Sequence, residues 1–236
     1  MKLPIYIPYK YIYGNLFIFN MENKSKKEND KLICNGHPYV DLGLPSGTLW
    51  STMNVGASSP SDPGLYFQWG DTVGYKEDQM GKEPGKKIFE FDDYKWFFNC
   101  DAETFTKYTH RGETLDLEDD AAHINMGGCW HIPNLKQTKE LINTANTRCD
   151  WVELDGISGM KITSKKDKSK YIFIPASGYA WSDSVYGIEN VGSIWSSTLY
   201  DNINYELGQY LYFGPKVIQN RFSYRYYGFS VRGVIG

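Results

Sequence analysis

Short runs of alternating apolar and polar residues, separated by Gly, Pro and Ser turns, recur along this chain from about residue 31 onward. The first run, Tyr39 to Leu44, stops at Pro45-Ser46-Gly47, and a second run from Thr48 to Val55 resumes the alternation. These two runs predict a β-hairpin. A second hairpin is predicted from Met160 to Pro175, with a solvated charged tip at residues 165–170.

One helix is clearly predicted after the segment Trp130 to Pro133. Asn134 is a good N-cap and Gln137 occupies the third position of a capping box, so the helix is expected from Leu135 to about Ala145. A short helical turn is predicted around residues 119–123. Together the elements predict an α+β fold of mostly antiparallel strands, with one or two short helices and long loops.

The first thirty residues differ from the rest, and we predict an N-terminal extension at 1–30 followed by one domain at 31–236. Residues 1–20 are apolar and aromatic but are interrupted by Pro4, Pro8, Lys10 and Gly14. They resemble neither a signal peptide, which has an apolar core of about 7–15 residues, nor a membrane-spanning helix of about 20. Residues 21–30 form a charged linker with little to bury. Either translation begins at Met21, or residues 1–20 form an attachment segment.

The composition narrows the classes of partner. A formal net charge of −3 argues against nucleic-acid binding, which needs a basic surface facing the phosphates. The 19 Tyr make up half of an aromatic fraction of 16%, so the chain is rich in strand formers and stacking surfaces.

Four cysteines, Cys34, Cys100, Cys129 and Cys149, show no C-x-x-C spacing and no local set of His partners for zinc. A disulfide between Cys129 and Cys149 is one interpretation if the protein is exported. Four free thiols are the other.

Two groups are candidates for metal or acid–base chemistry. His123 and His131 flank the Gly127-Gly128 turn, but no carboxylate stands nearby at ligand spacing. The acidic run from Asp116 to Asp120 lacks the pattern of an EF-hand loop and suits a solvated loop or a helix N-terminus. We therefore expect structural roles for both groups, no cofactor, no metal site and no catalytic activity.

The C-terminal segment is the strongest candidate for function. Between residues 192–198 and 226–234 lies a stretch crowded with Tyr, Asn and Ser, which combine rigid amphipathic contact area with adaptable hydrogen bonding. We assign Trp195, Leu211, Phe213, Phe229 and Val231 to the core by their spacing. The predicted ligand-binding residues are Tyr200, Asp201, Asn202, Asn204, Tyr205, Tyr210, Tyr212, Asn220, Phe222, Ser223, Tyr224 and Tyr226. Arg221, Arg225 and Arg232 are candidates for stacking or anionic contacts, and Arg232 is expected to be buried and paired.

Three blocks carry a resemblance to a known family. The first is Tyr39 to Trp50 followed by Asn54-Val55-Gly56-Ala57, and the second is residues 119–123 with 127–133 and 140–142. The third is Trp195-Ser196-Ser197 together with the segment from Gly228 to Arg232. From about Gly36 onward the chain resembles the Fibrobacter succinogenes major paralogous domain family, which is abundant in Bacteroides. That family usually has Arg where His131 stands.

The resemblance implies a C-type-lectin-like fold, on a scaffold related to the formylglycine-generating enzyme and to the variable proteins of diversity-generating retroelements. Those variable proteins carry a Tyr- and Asn-rich patch in their C-terminal strands. The formylglycine-generating relatives use a reactive cysteine pair late in the chain, whereas no cysteine follows Cys149 here. The Glu-Pro-Asn, Gln-Pro-Asp and Trp-Asn-Asp tripeptides of calcium-dependent lectins are also missing.

The expected function is binding or display without catalysis. The predicted partner is a cell-surface glycan or protein, bound from a bacterial surface or a phage tail, and a diversified retroelement target protein is the sharper form of this hypothesis. Localisation stays open between a secreted or surface protein and a phage virion, because no clear signal peptide is present. The alternatives are a structural subunit of a surface or tail assembly, including a homo-oligomer, and a metal-dependent enzyme of the formylglycine-generating superfamily.

Overall fold

The regular structure is dominated by short strands that pair mostly antiparallel. The computed structural model of this chain describes residues 32–82, 88–98, 104–201 and 206–236, so the predicted extension at 1–30 lies outside the described residues. The strands are β1 (Leu32–Cys34), β2 (His37–Val40), β3 (Leu49–Asn54), β4 (Tyr66–Phe67), β5 (Phe97–Phe98), β6 (Thr104–Phe105), β7 (Thr147–Leu154), β8 (Ile157–Ser164), β9 (Tyr171–Pro175), β10 (Tyr179–Trp181), β11 (Ser184–Tyr186), β12 (Gly192–Leu199), β13 (Leu207–Gly214), β14 (Val217–Tyr224), β15 (Phe229–Ser230) and β16 (Arg232–Ile235). Two short helices, α1 (Ala121–Met126) and α2 (Leu135–Leu141), lie between β6 and β7. The α+β prediction is confirmed at this level.

Both predicted hairpins are confirmed. β2 pairs with β3, placing Tyr39 opposite Ser51 and Val40 opposite Trp50. β8 pairs with β9 in a three-stranded sheet of order β7-β8-β9, and the charged tip between them is largely exposed. The first strand is shorter than predicted, because β2 ends at Val40 and the chain then turns at Asp41, whose side chain accepts a hydrogen bond from the Gly43 amide (2.7 Å).

The last strand of the chain returns to the first hairpin. β16 lies antiparallel beside β3 in a four-stranded sheet of order β1-β2-β3-β16. Arg232 of β16 is fully buried, and its Nε donates to Asn54 Oδ1 (2.9 Å). Its Nη atoms donate to the carbonyls of Ser51 (3.1 Å) and Phe173 (2.9 Å). The prediction of a buried, paired Arg232 is confirmed, and these three partners are neutral oxygens. Burial lowers the pKa of this guanidinium to about 9.

A five-stranded sheet of order β14-β13-β12-β15-β4 separates two apolar clusters. Trp195 and Phe229 belong to one cluster, whereas Leu211 and Phe213 belong to the other. All four are at most 2% exposed, as is Val231, so the predicted core positions are confirmed. Because both faces of β13 meet an apolar cluster, alternation along this strand does not separate a wet face from a dry one.

The capping box of α2 is confirmed, but its end was predicted wrongly. Asn134 Oδ1 accepts from the Gln137 amide (3.0 Å), and Gln137 Oε1 accepts from the Asn134 amide (2.9 Å). The helix ends at Leu141 instead of about Ala145. Asn143 explains the early end, because its side chain accepts from the Ala145 amide (2.9 Å) and its carbonyl accepts from Asn146 (2.8 Å). These local bonds compete with helix continuation.

The cysteine contact in the structure differs from the pairing that the sequence suggested. Cys129 Sγ lies 3.3 Å from Cys34 Sγ, and both are free thiols. Cys149 is also a free thiol and packs against the cluster that contains Leu211. Cys100 lies outside the described residues.

Within the described ranges, no helix has both the length and the apolar character needed to cross a bilayer.

Candidate functional site

The predicted ligand-binding residues do not form a single patch. Asn202, Asn204 and Tyr205 lie outside the described residues. The others separate into three groups. The first lies at the start of the loop after β12 and includes Phe222 of β14, the second lies on β13 and β14, and the third lies where β14 ends. Each group meets different neighbours.

Tyr200 and Phe222 form the first group. Their rings stack with centroids 4.0 Å apart and an interplanar angle of 22°. Phe222 is 50% exposed, and the backbone amide of Tyr200 is held by the Leu207 carbonyl (2.9 Å). Asp201 is exposed and pairs with Arg111 at 3.1 Å. This group is a pair of stacked, partly exposed rings with an ion pair beside it.

The residues of β13 and β14 are more enclosed than the sequence suggested. Tyr210 is 9% exposed, and its ring meets Trp195 and Phe229. Tyr212 is half-buried, with the Arg221 guanidinium 3.9 Å from its ring centroid. Tyr210 therefore serves mainly as a core residue. The Tyr212–Arg221 contact is the part of this group that reaches solvent.

Asn220 and Ser223 point to opposite faces of β14, since they are an odd number of residues apart along a regular strand. Asn220 Oδ1 accepts a hydrogen bond from Thr138 Oγ1 of α2 (2.7 Å), which makes Asn220 an attachment point for the helix. Ser223 lies opposite Gly208 and is half-buried. These two residues cannot meet one ligand through a common face of the strand.

An exposed aromatic feature combines Tyr224, at the end of β14, and the turn that follows it with the β10–β11 hairpin. Tyr224 and Tyr226 stack at 5.2 Å and 17°, and Tyr227 contacts both rings edge-on. Tyr227 continues to the hairpin, where it stacks with Tyr179 at 6.1 Å and lies 6.3 Å from Trp181. We call this the aromatic surface and define it as Tyr179, Trp181, Tyr186, Tyr224, Tyr226 and Tyr227.

Three rings of the aromatic surface are substantially exposed: Trp181 at 42%, Tyr186 at 41% and Tyr224 at 42%. The other three are half-buried and support them. Exposed rings that cluster in this way mark a candidate interaction surface.

The hairpin presents its rings through its register. Tyr179 of β10 lies directly opposite Tyr186 of β11, and their rings stack at 5.7 Å and 27°. Gly178 precedes them with φ +67, and a Cβ at this position would lie 2.1 Å from the Tyr186 carbonyl oxygen. Ala180 exchanges backbone hydrogen bonds with Gly228 (2.7 and 2.9 Å), which joins the hairpin to the segment after Tyr227. These contacts fix the two parts of the aromatic surface relative to each other.

Arg225 holds the turn from inside. It is fully buried, with its guanidinium over the rings of Trp69 and Phe105 at 5.0 and 4.5 Å. It donates to the carbonyls of Lys107 (3.1 Å) and Tyr108. Two of the three arginines predicted to stack on aromatic rings therefore do so. Arg225 stacks within the core, and Arg221 stacks on Tyr212.

The phenol groups of Tyr226 and Tyr227 remain neutral in ordinary buffers. Burial, followed by the neighbouring Tyr227 and Tyr224, raises the pKa of Tyr226 to about 12. Burial and Tyr179 raise the pKa of Tyr227 in the same direction. A neutral phenol both donates and accepts hydrogen bonds, so these rings offer polar contacts beside their apolar faces.

Sequence reasoning found Tyr224 and Tyr226 but missed the hairpin and Tyr227. The signal was present, because Tyr179-Ala180-Trp181 and Ser184-Val185-Tyr186 alternate around a Ser-Asp turn. What the sequence could not reveal is the contact between this hairpin and a turn about forty residues later.

The acidic run surrounds a lysine. Lys107 Nζ lies 2.9 Å from Asp116, 2.8 Å from Glu118 and 2.5 Å from Asp119. These three carboxylates have the mutual spacing of a cation site, but the ammonium group already bridges them. Asp119, itself 7% exposed, also accepts from Tyr108 Oη (2.7 Å). Burial opposes ionisation of Asp119, yet hydrogen bonds led by that from Lys107 keep its pKa below its usual range.

Asp120 and the two histidines have structural contacts. Asp120 caps α1 by accepting from the His123 amide (2.9 Å), and it also accepts from the Ile132 amide (2.7 Å). His123 Nδ1 lies 3.2 Å from the Trp130 carbonyl, and His131 Nε2 lies 3.1 Å from the Gly236 carbonyl. The expected helix N-terminus in the acidic run is confirmed for Asp120.

No family model, curated protein or solved structure matches this chain. What the protein does must therefore be inferred from its own residues and their geometry.

Proposed function

We propose that this protein is a non-catalytic binding protein that recognises a cell-surface glycan through the aromatic surface. The observation that carries the proposal is the set of connected rings from Tyr179 to Tyr227, with Trp181, Tyr186 and Tyr224 each more than 40% exposed. The predicted binding residues Tyr224 and Tyr226 belong to this set.

The chemistry of the surface suits a sugar. The faces of pyranose rings carry C–H groups that pack against aromatic rings, while their hydroxyls need hydrogen-bond partners. Exposed Trp and Tyr rings supply the apolar area, and phenol groups supply donors and acceptors at low cost in conformational entropy.

We also propose a C-type-lectin-like fold, as the family resemblance implies. Support comes from the way the three resembling blocks meet. Arg232 of the third block hydrogen-bonds Asn54 of the first, and the Ser197 amide of the third block donates to the Pro133 carbonyl of the second (2.9 Å). In such a scaffold, a surface protein or a phage-tail protein would display the aromatic surface, and diversification of its C-terminal tyrosines would change the ligand.

The metal-independent part of the proposal rests on the acidic cluster. The three carboxylates that best match a cation site already neutralise Lys107. An added cation would have to displace that ammonium group. We therefore propose that ligand binding needs no metal.

A protein ligand is the second candidate, and the tyrosine content of the surface favours it. Five of the six rings are Tyr, which is the residue that antibody paratopes use most for protein recognition. The glycan and the protein candidate predict different losses of binding when one or the other class of ligand is destroyed on the cell surface.

Fluorescently labelled protein incubated with intact bacterial cells separates these possibilities. Periodate cleaves the vicinal diols of sugars, whereas protease removes surface proteins. The glycan proposal predicts that periodate abolishes binding, that protease leaves it, and that a chelator changes nothing. Loss with protease alone would support the protein ligand, and loss with chelator would contradict metal-independent binding.

A further inference from the structure

Two cysteines distant in sequence meet at the start of the described domain. Cys34 Sγ and Cys129 Sγ lie 3.3 Å apart although 95 residues separate them in the chain. A disulfide bond is about 2.05 Å long, so the sulfurs would have to approach by roughly 1.3 Å. That is within the reach of small rotations about the side-chain bonds.

The backbone around both cysteines is held from both sides. Trp130 Nε1 donates to the Cys34 carbonyl (3.0 Å), and the Asn35 side chain donates to the Met126 carbonyl. Gly127 adopts a φ of +67, and a Cβ there would lie 2.6 Å from Asn35 Nδ2. This close approach brings the turn after β1 against the loop between α1 and α2. The two thiols therefore face each other because the chain around them is fixed by other contacts.

The pair is accessible to a soluble oxidant. Cys129 is exposed and Cys34 is half-buried. An exposed thiol can enter a mixed disulfide, and a second thiol in contact with it can then resolve that intermediate.

We propose that Cys34 and Cys129 form a disulfide when the protein meets an oxidising environment, and that this bond ties the edge strand β1 to the loop between α1 and α2. With oxidised glutathione as the oxidant, the Cys129 thiolate attacks one sulfur of the glutathione disulfide and releases one glutathione thiolate. The Cys34 thiolate then attacks Cys129 Sγ and releases the second. The two protein thiols are oxidised by two electrons, the glutathione disulfide is reduced, and the two protons end on the glutathione thiols.

The consequence concerns the edge strand β1. β1 is an edge strand in its sheet, and its residues Leu32 and Ile33 are 45% and 60% exposed. A covalent bond closing so long a loop removes many conformations from the unfolded chain. Oxidation should therefore raise the thermal midpoint of unfolding.

The full chain, equilibrated in oxidised or in reduced glutathione, is alkylated, digested and mapped by mass spectrometry. The proposal predicts a cross-linked peptide pair containing Cys34 and Cys129 only in the oxidised sample, with two of the four cysteines protected from alkylation. Alkylation of both residues after oxidation, or a cross-link from Cys129 to Cys149 or Cys100, would overturn it.

A thermal measurement provides the second test. Oxidation should raise the unfolding midpoint of the wild type and of Cys149→Ser, and should leave Cys34→Ser unchanged. An equal rise in Cys34→Ser would contradict the proposal. Because peptide mapping uses the wild-type chain, the test does not depend on how well any variant folds, and it is independent of whether the aromatic surface binds a glycan.

Discussion

At the scale of single residues, Arg232 links three strands of the described core. Its guanidinium serves oxygens from Ser51, Asn54 and Phe173, and so joins β16 to β3 and β9. The sequence indicated a buried Arg at this position because it follows an apolar strand motif. The identity of its partners could not be predicted, because they lie up to 181 residues away.

We expect Arg232→Met to lower the free energy of unfolding by about 3 kcal/mol or more, because it leaves buried acceptors without donors. Urea denaturation measures the change. The control is Arg221→Met, which removes an exposed guanidinium stacked on Tyr212 and should cost less than about 1 kcal/mol. Equal losses in the two variants would contradict the role given to Arg232.

Also at the scale of single residues, Lys107 makes the stability of the protein depend on pH. Its hydrogen bonds hold the pKa of Asp119 below the usual range. A lowered carboxyl pKa contributes stability above the unfolded-state value, near pH ~4, and that stability is lost as the pH falls through the native-state value. The same hydrogen bonds, against the opposing effect of burial, raise the pKa of Lys107, so its own contribution persists up to about pH 10.

Lys107→Met should therefore destabilise the protein by about 1–2 kcal/mol, at a constant value between about pH 5 and 9. Below about pH 4 the difference from the wild type should shrink, because protonated carboxyls no longer need the ammonium group. Urea denaturation at several pH values measures this difference. A loss that stays the same at about pH 3 would show that the ion pairs contribute nothing to acid stability.

At the scale of elements, local side-chain interactions such as helix caps could be predicted from the sequence. The residues at which elements end were harder to predict. The N-terminus of α2 followed directly from Asn134 and Gln137, because a capping box is a local signal. Its end was wrong because Asn143 uses its side chain and carbonyl to form a competing turn. The β10–β11 hairpin had a readable alternation, but nothing local showed that it supports the turn after β14.

Gly178 tests how the hairpin is positioned. Its φ is +67, and a Cβ at this position would lie 2.1 Å from the Tyr186 carbonyl oxygen, so a side chain has no room. Gly178→Ala should lower the free energy of unfolding by at least about 2 kcal/mol, from backbone strain and overpacking together.

Gly156→Ala is the matched control, because Gly156 has a φ of +80 with no atom within 4 Å of a Cβ. It carries the backbone strain alone, about 1–2 kcal/mol. Urea denaturation of both variants separates the steric contribution. If the two lose the same amount, the hairpin is free to move away from Gly178.

At the scale of the whole molecule, a sheet with an apolar cluster on each face supports an exposed set of rings at its margin. The sequence predicted the Tyr-rich C-terminal segment as a recognition surface, but not which of its tyrosines face solvent. Tyr210 became a core residue because both faces of β13 are covered, and Asn220 became a helix contact. Trp181 and Tyr186 were missed because strand alternation shows which residues share a face, not which distant segments meet.

The most direct test of the aromatic surface measures binding of labelled protein to intact bacterial cells for the wild type and two variants. The double variant Trp181→Ala, Tyr224→Ala removes two rings of the surface, while Tyr171→Ala removes an equally exposed ring, 43% against 42%, from the β7-β8-β9 sheet. Stacking of a flat ligand ring on an aromatic side chain is worth on the order of 1–3 kcal/mol for nucleic-acid bases, and we expect a similar order for a sugar face. We predict a loss of affinity of at least about tenfold for the double variant and none for Tyr171→Ala. Unchanged binding by a folded double variant would contradict recognition through the aromatic surface.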